Sequence, residues 1–247
     1  MFQDLPSADF FKINGVSSTT VGIYVDTPPV PPMAHKRYKN YYYDVDDDYV
    51  YDDIQFTIRF FTFYNEDFDN TAIYEFFHEA ETIEISRLSG YYYKIKDLQL
   101  QQPEVTYDGA KIEYRADFTL APFRYKTSNP EIELDTAVLA ETTVTNSGTQ
   151  FCKPTFNIAV AGVSGQQTDI SIFVNNVAFG VEDVGSGNIV IDSETMTVIR
   201  SGNPDINLLT HTSGDFLYMH KGTNVVKYDI TNGTVARFAV KLNERSF

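Results

Sequence analysis

Hydrophobic and polar residues alternate one for one through two long stretches of the first half of the chain. Ile54, Phe56, Ile58 and Phe60 are separated by Gln55, Thr57 and Arg59. Ile112, Tyr114, Ala116, Phe118 and Leu120 are separated by Glu113, Arg115, Asp117 and Thr119. Successive side chains of a strand point to opposite faces, so each stretch predicts a strand with one face buried. Asp108-Gly109 is a tight-turn signal and predicts a hairpin pairing 105–107 with 111–120. One segment has helical spacing instead. Ile73, Phe76, Phe77 and Ala80 fall at i, i+3, i+4 and i+7, which predicts a helix over 71–82 that Asn70 or Thr71 can cap. Pro28-Pro29 and Pro31-Pro32 predict an extended loop, because proline fixes φ and removes a donor.

The second half carries strand signals only. Apolar runs at 170–174 and 177–181 flank Asn175-Asn176, runs at 189–191 and 196–199 flank Asp192-Ser193-Glu194, and runs at 226–230 and 235–242 flank Asn232-Gly233. Short strands at this spacing, with turn residues between them, predict an all-β sandwich or barrel made of hairpins.

Composition divides the chain at the same place. Residues 1–125 hold 15 Tyr and 12 Phe and carry −10, whereas residues 126–247 hold 2 Tyr and 7 Phe and carry −5. At about 150 residues per domain, 247 residues make one large or two small domains. The shift near Leu120-Ala121-Pro122-Phe123 predicts a boundary there, and 126–133 reads as a linker. A net charge of −15 argues against a nucleic-acid-binding surface and against attraction to an anionic membrane. The first residues lack the basic and apolar regions of a signal peptide, and no apolar run approaches the roughly 18 residues of a membrane span.

Candidate chemistry is sparse. Cys152 is the single cysteine, which excludes an intramolecular disulfide, and without a basic partner nearby in sequence it reads as a small buried thiol. Gly162-Val163-Ser164-Gly165 is too short for a nucleophile elbow, and Gly185-Ser186-Gly187 lacks the third glycine of a phosphate loop. His35, His78, His211 and His220 have no metal-binding spacing; His78-Glu79 is followed at 82 by Thr where a zinc helix needs His. Asp44, Asp46 and Asp48 match the start of a calcium loop, but Tyr49 and Gln55 break it, so the run Asp44, Asp46, Asp47, Asp48, Asp52, Asp53 reads as a solvated acidic loop. Asn232-Gly233-Thr234 fits a glycosylation sequon and is read as a hairpin turn. Tyr41-Tyr42-Tyr43 and Tyr91-Tyr92-Tyr93 cannot face one core as strands, so each is either exposed on a sheet or part of a subunit interface. The expected site inventory is therefore no catalytic residue, no metal and no cofactor.

Several motifs, in order, resemble the distal tail proteins (Dit) of siphophages, in the short form without an inserted carbohydrate-binding module. They are Phe11-Lys12-Ile13-Asn14-Gly15-Val16, Val21-Gly22-Ile23-Tyr24-Val25, the strand from Phe56 to Phe63, the aromatic helix and Tyr91-Tyr92-Tyr93-Lys94-Ile95. Thr145-Asn146-Ser147-Gly148, Pro154, the run Ile189 to Glu194, Gly214-Asp215-Phe216 and Lys221-Gly222-Thr223-Asn224 continue the match. The resemblance implies a mainly β chain of two domains. Residues 1–128 would be a ring-forming β-sandwich or split barrel with one helix and a projecting hairpin; residues 129–247 would be a galectin-like β-sandwich. It also implies a non-enzymatic hub at the tail tip of a virion made in a bacterial cytoplasm. Its homo-hexameric ring would join the major tail protein to the tail-associated tip protein and to receptor-binding or baseplate proteins. The isolated chain is expected as hexamer or monomer, and DNA would pass a channel lined by the acidic N-terminal domain with no basic stripe. The alternative class is a carbohydrate-binding adhesion module, against which stand the absence of Trp and the presence of only Tyr218 and Tyr228 in the second half.

Overall fold

The computed structural model describes residues 10–25, 29–38, 49–63, 70–105, 111–200, 203–208 and 212–247. It is mainly β and falls into two compact units, Met1–Thr127 with Phe247, and Ser128–Ser246.

The N-terminal unit is built on one antiparallel sheet. Its strands are β1 (Phe11–Ile13), β2 (Val16–Ser17), β3 (Tyr24–Val25), β6 (Ile54–Phe63), β7 (Thr82–Ile85), β8 (Tyr91–Leu100), β9 (Glu104–Val105) and β10 (Lys111–Lys126). The order is β2-β1-β7-β8-β10-β6-β3, with β9 paired to β10. A separate ribbon pairs β4 (Lys36–Tyr38) with β5 (Tyr49–Tyr51). The alternation in β6 and β10 holds. Ile54, Ile58 and Phe60 are buried opposite Leu120, Ala116 and Tyr114, while Gln55, Thr57 and Arg59 face solvent. The expected pairing of 105 with the second stretch is present as Val105 opposite Ile112; Asp108-Gly109 lies outside the described residues.

Helix α1 (Thr71–Phe77) seals this core with the predicted Ile73, Phe76 and Phe77. Phe77 meets the rings of Phe11, Phe60, Phe76 and Phe118 at centroid distances of 6.1, 5.4, 5.1 and 6.4 Å. The helix is five residues shorter than the apolar spacing predicts. His78 is extended and Glu79 turns left-handed at φ 53°. Asn14 then captures the departing backbone: its Nδ2 donates to the Glu79 carbonyl at 2.9 Å, and its Oδ1 accepts from the Glu81 and Thr82 amides at 2.9 and 3.0 Å. Asn70 does occupy the cap position, but its side chain makes no capping bond; Oδ1 accepts the Tyr114 hydroxyl instead.

The predicted boundary at 120–123 is also corrected. β10 runs through it, and the buried set changes phase from Ile112, Tyr114, Ala116, Phe118 and Leu120 to Ala121, Phe123 and Tyr125. Register shifts between Thr119 and Arg124 against β8 account for this, since one inserted residue moves every later side chain to the other face. The expected linker 126–133 likewise ends inside a strand, β11 (Ile132–Glu133).

The C-terminal unit is a sandwich. One sheet orders β11, β21 (Gly233–Lys241), β13 (Thr155–Gly162), β16 (Gly187–Asp192), β17 (Thr197–Arg200) and β18 (Asn203–Asn207). The other orders β12 (Thr142–Asn146), β20 (Gly222–Thr231), β14 (Asp169–Val174), β15 (Val177–Val181) and β19 (Thr212–Ser213). Phe156, Ile158, Ile191 and Phe238 from the first pack with Ile170, Ile172, Val226 and Tyr228 from the second in one core. Asn175-Asn176 is the expected tight turn, with φ of 50° and 69° at its two central residues. Asn232-Gly233 is not. β20 and β21 lie in different sheets, so the turn carries the chain from one layer to the other.

Candidate functional surfaces

The outward positions of β6 and β10 form a polar ladder. Thr57 Oγ1 donates to Asp117 Oδ1 at 2.6 Å, Arg115 Nε donates to the same oxygen at 2.9 Å, and Gln101 Nε2 donates to Oδ2 at 3.1 Å. The Thr57 hydrogen bond first, then those from Arg115 and Gln101, holds the Asp117 carboxyl below the usual carboxylate range. Arg59 sits directly opposite Arg115. Like charges opposed across strands repel, and Asp117 offsets that repulsion locally. Both arginines line an open groove of about 400 Å³ with Pro29, Val30 and Phe56. Alternation alone places these residues outward; only the cross-strand register reveals that the arginines meet.

The residues singled out in sequence mostly serve structure. Tyr93 is buried and its hydroxyl donates to the Pro32 carbonyl at 2.9 Å. Tyr92 stacks on Tyr125 at 5.5 Å, and Arg124 lies over Tyr91 at 4.9 Å. All three tyrosines of this run therefore have contacts within the chain. Tyr41, Tyr42, Tyr43, Asp44, Asp46, Asp47, Asp48 and His211 lie outside the described residues. At the end of the acidic run, Asp53 pairs with Lys96 at 2.5 Å, and Asp52 stands 3.7 Å from His35. His78 stands 3.8 Å from Glu79, both exposed, and His220 meets Tyr218 edge-to-face at 5.0 Å. Among the described residues, no group of three or more His, Cys, Asp or Glu is placed to hold a metal.

Cys152 is fully buried beside Met219, with which it exchanges both backbone hydrogen bonds at 2.9 Å. Burial first, then the Glu244 charge, pushes its thiol up to about 12, opposite to the shift that activates a nucleophile. Asn146 and Asn224, within two of the motifs quoted above, are buried and hydrogen-bonded. Asn224 Nδ2 donates to the His220 and Gly222 carbonyls at 2.9 and 3.0 Å, and its Oδ1 accepts from Asn175 at 2.9 Å. Gly148 is packed so closely that a Cβ there would stand 2.4 Å from the Arg245 carbonyl. These motif residues hold loops in place. Among the described residues, no helix is long and apolar enough to cross a membrane.

Neither a family model nor a curated protein matches the chain. A solved structure does. The crystal structure of SPP1 Dit (gp 19.1), described as a paradigm of the hub adsorption apparatus in phages that infect Gram-positive hosts, is similar with a TM-score of 0.54 at 12% identity. The similarity covers 94% of this chain and 98% of that one. At this identity it establishes a common fold over both units.

Proposed function

We propose that the chain is the structural hub of a long, non-contractile phage tail tip. The likeness in fold over nearly the full length of both chains carries this reading, because an isolated sandwich would match only part of the hub protein. In this reading the N-terminal unit, rich in Tyr and Phe, closes a ring of six copies between the major tail protein and the tail-associated tip protein. The galectin-like C-terminal unit faces receptor-binding or baseplate proteins. The protein is no enzyme, and its ring channel passes DNA without holding it: the acidic N-terminal half offers few Lys or Arg to replace counterions on phosphate.

The side chains weigh against a carbohydrate-binding module. A sugar platform needs exposed aromatic faces, yet Tyr228 is buried. Tyr218 and Phe151 are 42% and 36% exposed, but they meet near edge-to-face at 6.1 Å, and Arg245 lies over Phe151 at 5.6 Å. Gold-labelled antibody against the chain, applied to intact virions, tests the location. The expected label is at the tail tip; label on capsids, or along the whole tail, overturns the hub.

A further inference from the structure

Two pairs of like charges stand directly opposite each other across strands of the N-terminal unit. Arg59 of β6 faces Arg115 of β10, and Glu104 of β9 faces Glu113 of β10. Among the described residues, no other pairing between strands β1 to β10 places like charges opposite each other. One pair is basic and the other acidic. Residues 113 and 115 lie two apart on β10, so both pairs project from the same face. All four side chains are exposed and line one open groove of about 600 Å³.

Like charges directly opposite destabilise a sheet. The chain itself relieves little of this. Arg115 donates through Nε to Asp117, whose oxygens also accept from Thr57 and Gln101. The side chains of Arg59, Glu104 and Glu113 have no ion-pair or hydrogen-bond partner among the described residues. The two pairs are about 7 Å apart along β10, at roughly 3.4 Å per residue. That is too close for two different neighbours to take one pair each. A single partner must cover both, with carboxylates over the arginines and basic groups over the glutamates. A second copy of this chain carries both sets at that spacing.

We propose that, free of tail partners, two copies of this chain pair face to face through the outward side of β6, β10 and β9. A two-fold axis in the plane of contact sets the arginines of each copy against the glutamates of the other, so the interface is self-complementary. Arginine forks hold carboxylates bidentately, and the contact replaces two repulsive pairs in each copy with attractive ones. The net charge of −15 opposes approach only at long range. Charges more than about 8 Å apart are largely screened at physiological salt, and pairs closed inside a contact much less. The pair is a state of the free chain; in the hub reading, assembly on the tail replaces it.

Sedimentation velocity of the full chain, from about 1 μM to about 1 mM, covers the range of weak association. Arg59→Glu with Arg115→Glu makes both pairs acidic; Glu104→Arg with Glu113→Arg makes both basic. We expect the wild-type chain to pass from one copy to two with rising concentration in about 0.15 M salt, and to return to one in about 1 M salt, where the Debye length is about 3 Å. Each double variant should stay at one copy, and their equimolar mixture should pair at least as tightly as wild type. The single variants Arg59→Glu and Glu113→Arg each place opposite charges across the strands. They should melt no lower than wild type yet pair at least about ten-fold more weakly, and they decide the matter should a double variant fail to fold. A wild-type chain that stays single to about 1 mM overturns the proposal. So does a folded variant that pairs as tightly as wild type, or a mixture of folded double variants that does not pair. Six copies of the free chain, unchanged by either double variant, overturn it too and leave the hub standing.

Discussion

Phe77 is the residue whose loss should unfold the N-terminal unit most directly. It is 6% exposed and touches four other aromatic rings contributed by β1, β6, α1 and β10. Truncating a buried Phe to Ala costs about 3–5 kcal/mol from lost transfer energy and the cavity left behind. Aromatic pairs add about 0.5–1.5 kcal/mol each beyond burial, which places Phe77→Ala at the upper end of that range. A unit of this size has a stability of about 6–19 kcal/mol at about 0.05–0.15 kcal/mol per residue, so the loss is a large fraction. With each kcal/mol worth about 4 °C at this length, the melting transition of the unit should fall by roughly 15–20 °C. Calorimetry of Phe77→Ala beside Glu75→Ala, an exposed position on the same helix, measures it; the control should move by no more than about 2 °C. The C-terminal transition should stay in place, because its core is a separate cluster. Limited proteolysis should then release an intact fragment starting near residue 128. A fall of less than about 3 °C in Phe77→Ala would refute the packing argument. Both transitions falling together would refute the independence of the units.

Three further outcomes are expected. Cys152 should resist thiol reagents at pH 8 in the folded chain and react once in denaturant; fast labelling of the native protein would contradict its burial. Burial first raises the Tyr93, Tyr114 and Tyr228 hydroxyls, Tyr114 to about 12. Above pH 10 the unfolded chain therefore loses protons that the folded chain keeps, so stability should fall with rising pH from about 10 toward 12; a flat denaturation midpoint across that range would count against the buried hydroxyls. Duplex DNA should show no mobility shift with the chain even at about 50 mM salt, where phosphate contacts are strongest.

The sequence discloses the fold wherever a single face is buried without interruption. β6 and β10 are legible for that reason, as is the apolar stripe Ile73, Phe76, Phe77. The helix end is not, because Ala80 still packs against the core although the chain has already turned at Glu79, and spacing cannot tell the two routes apart. The continuation of β10 past Leu120 is hidden by the phase change to Ala121, Phe123 and Tyr125, which mimics the end of a strand. Asn232-Gly233 signals a turn, but a two-residue signal does not say whether the strands it joins share a sheet. Surfaces are less legible still. Nothing in Ala137-Val138-Leu139-Ala140 announces that Leu139 turns left-handed, at φ 61°; it follows from hydrogen bonds to Tyr228, far along the chain.

If six copies close into a ring, the molar mass of the assembly shows it. Light scattering on the complex of this chain with its neighbouring tail protein counts the copies whether or not the chain assembles alone, since a partner can supply part of the stabilisation. Head-to-tail interfaces close at a fixed rotation, and six copies of this chain per complex are expected. A stable complex containing two copies joined through one self-complementary face would contradict it.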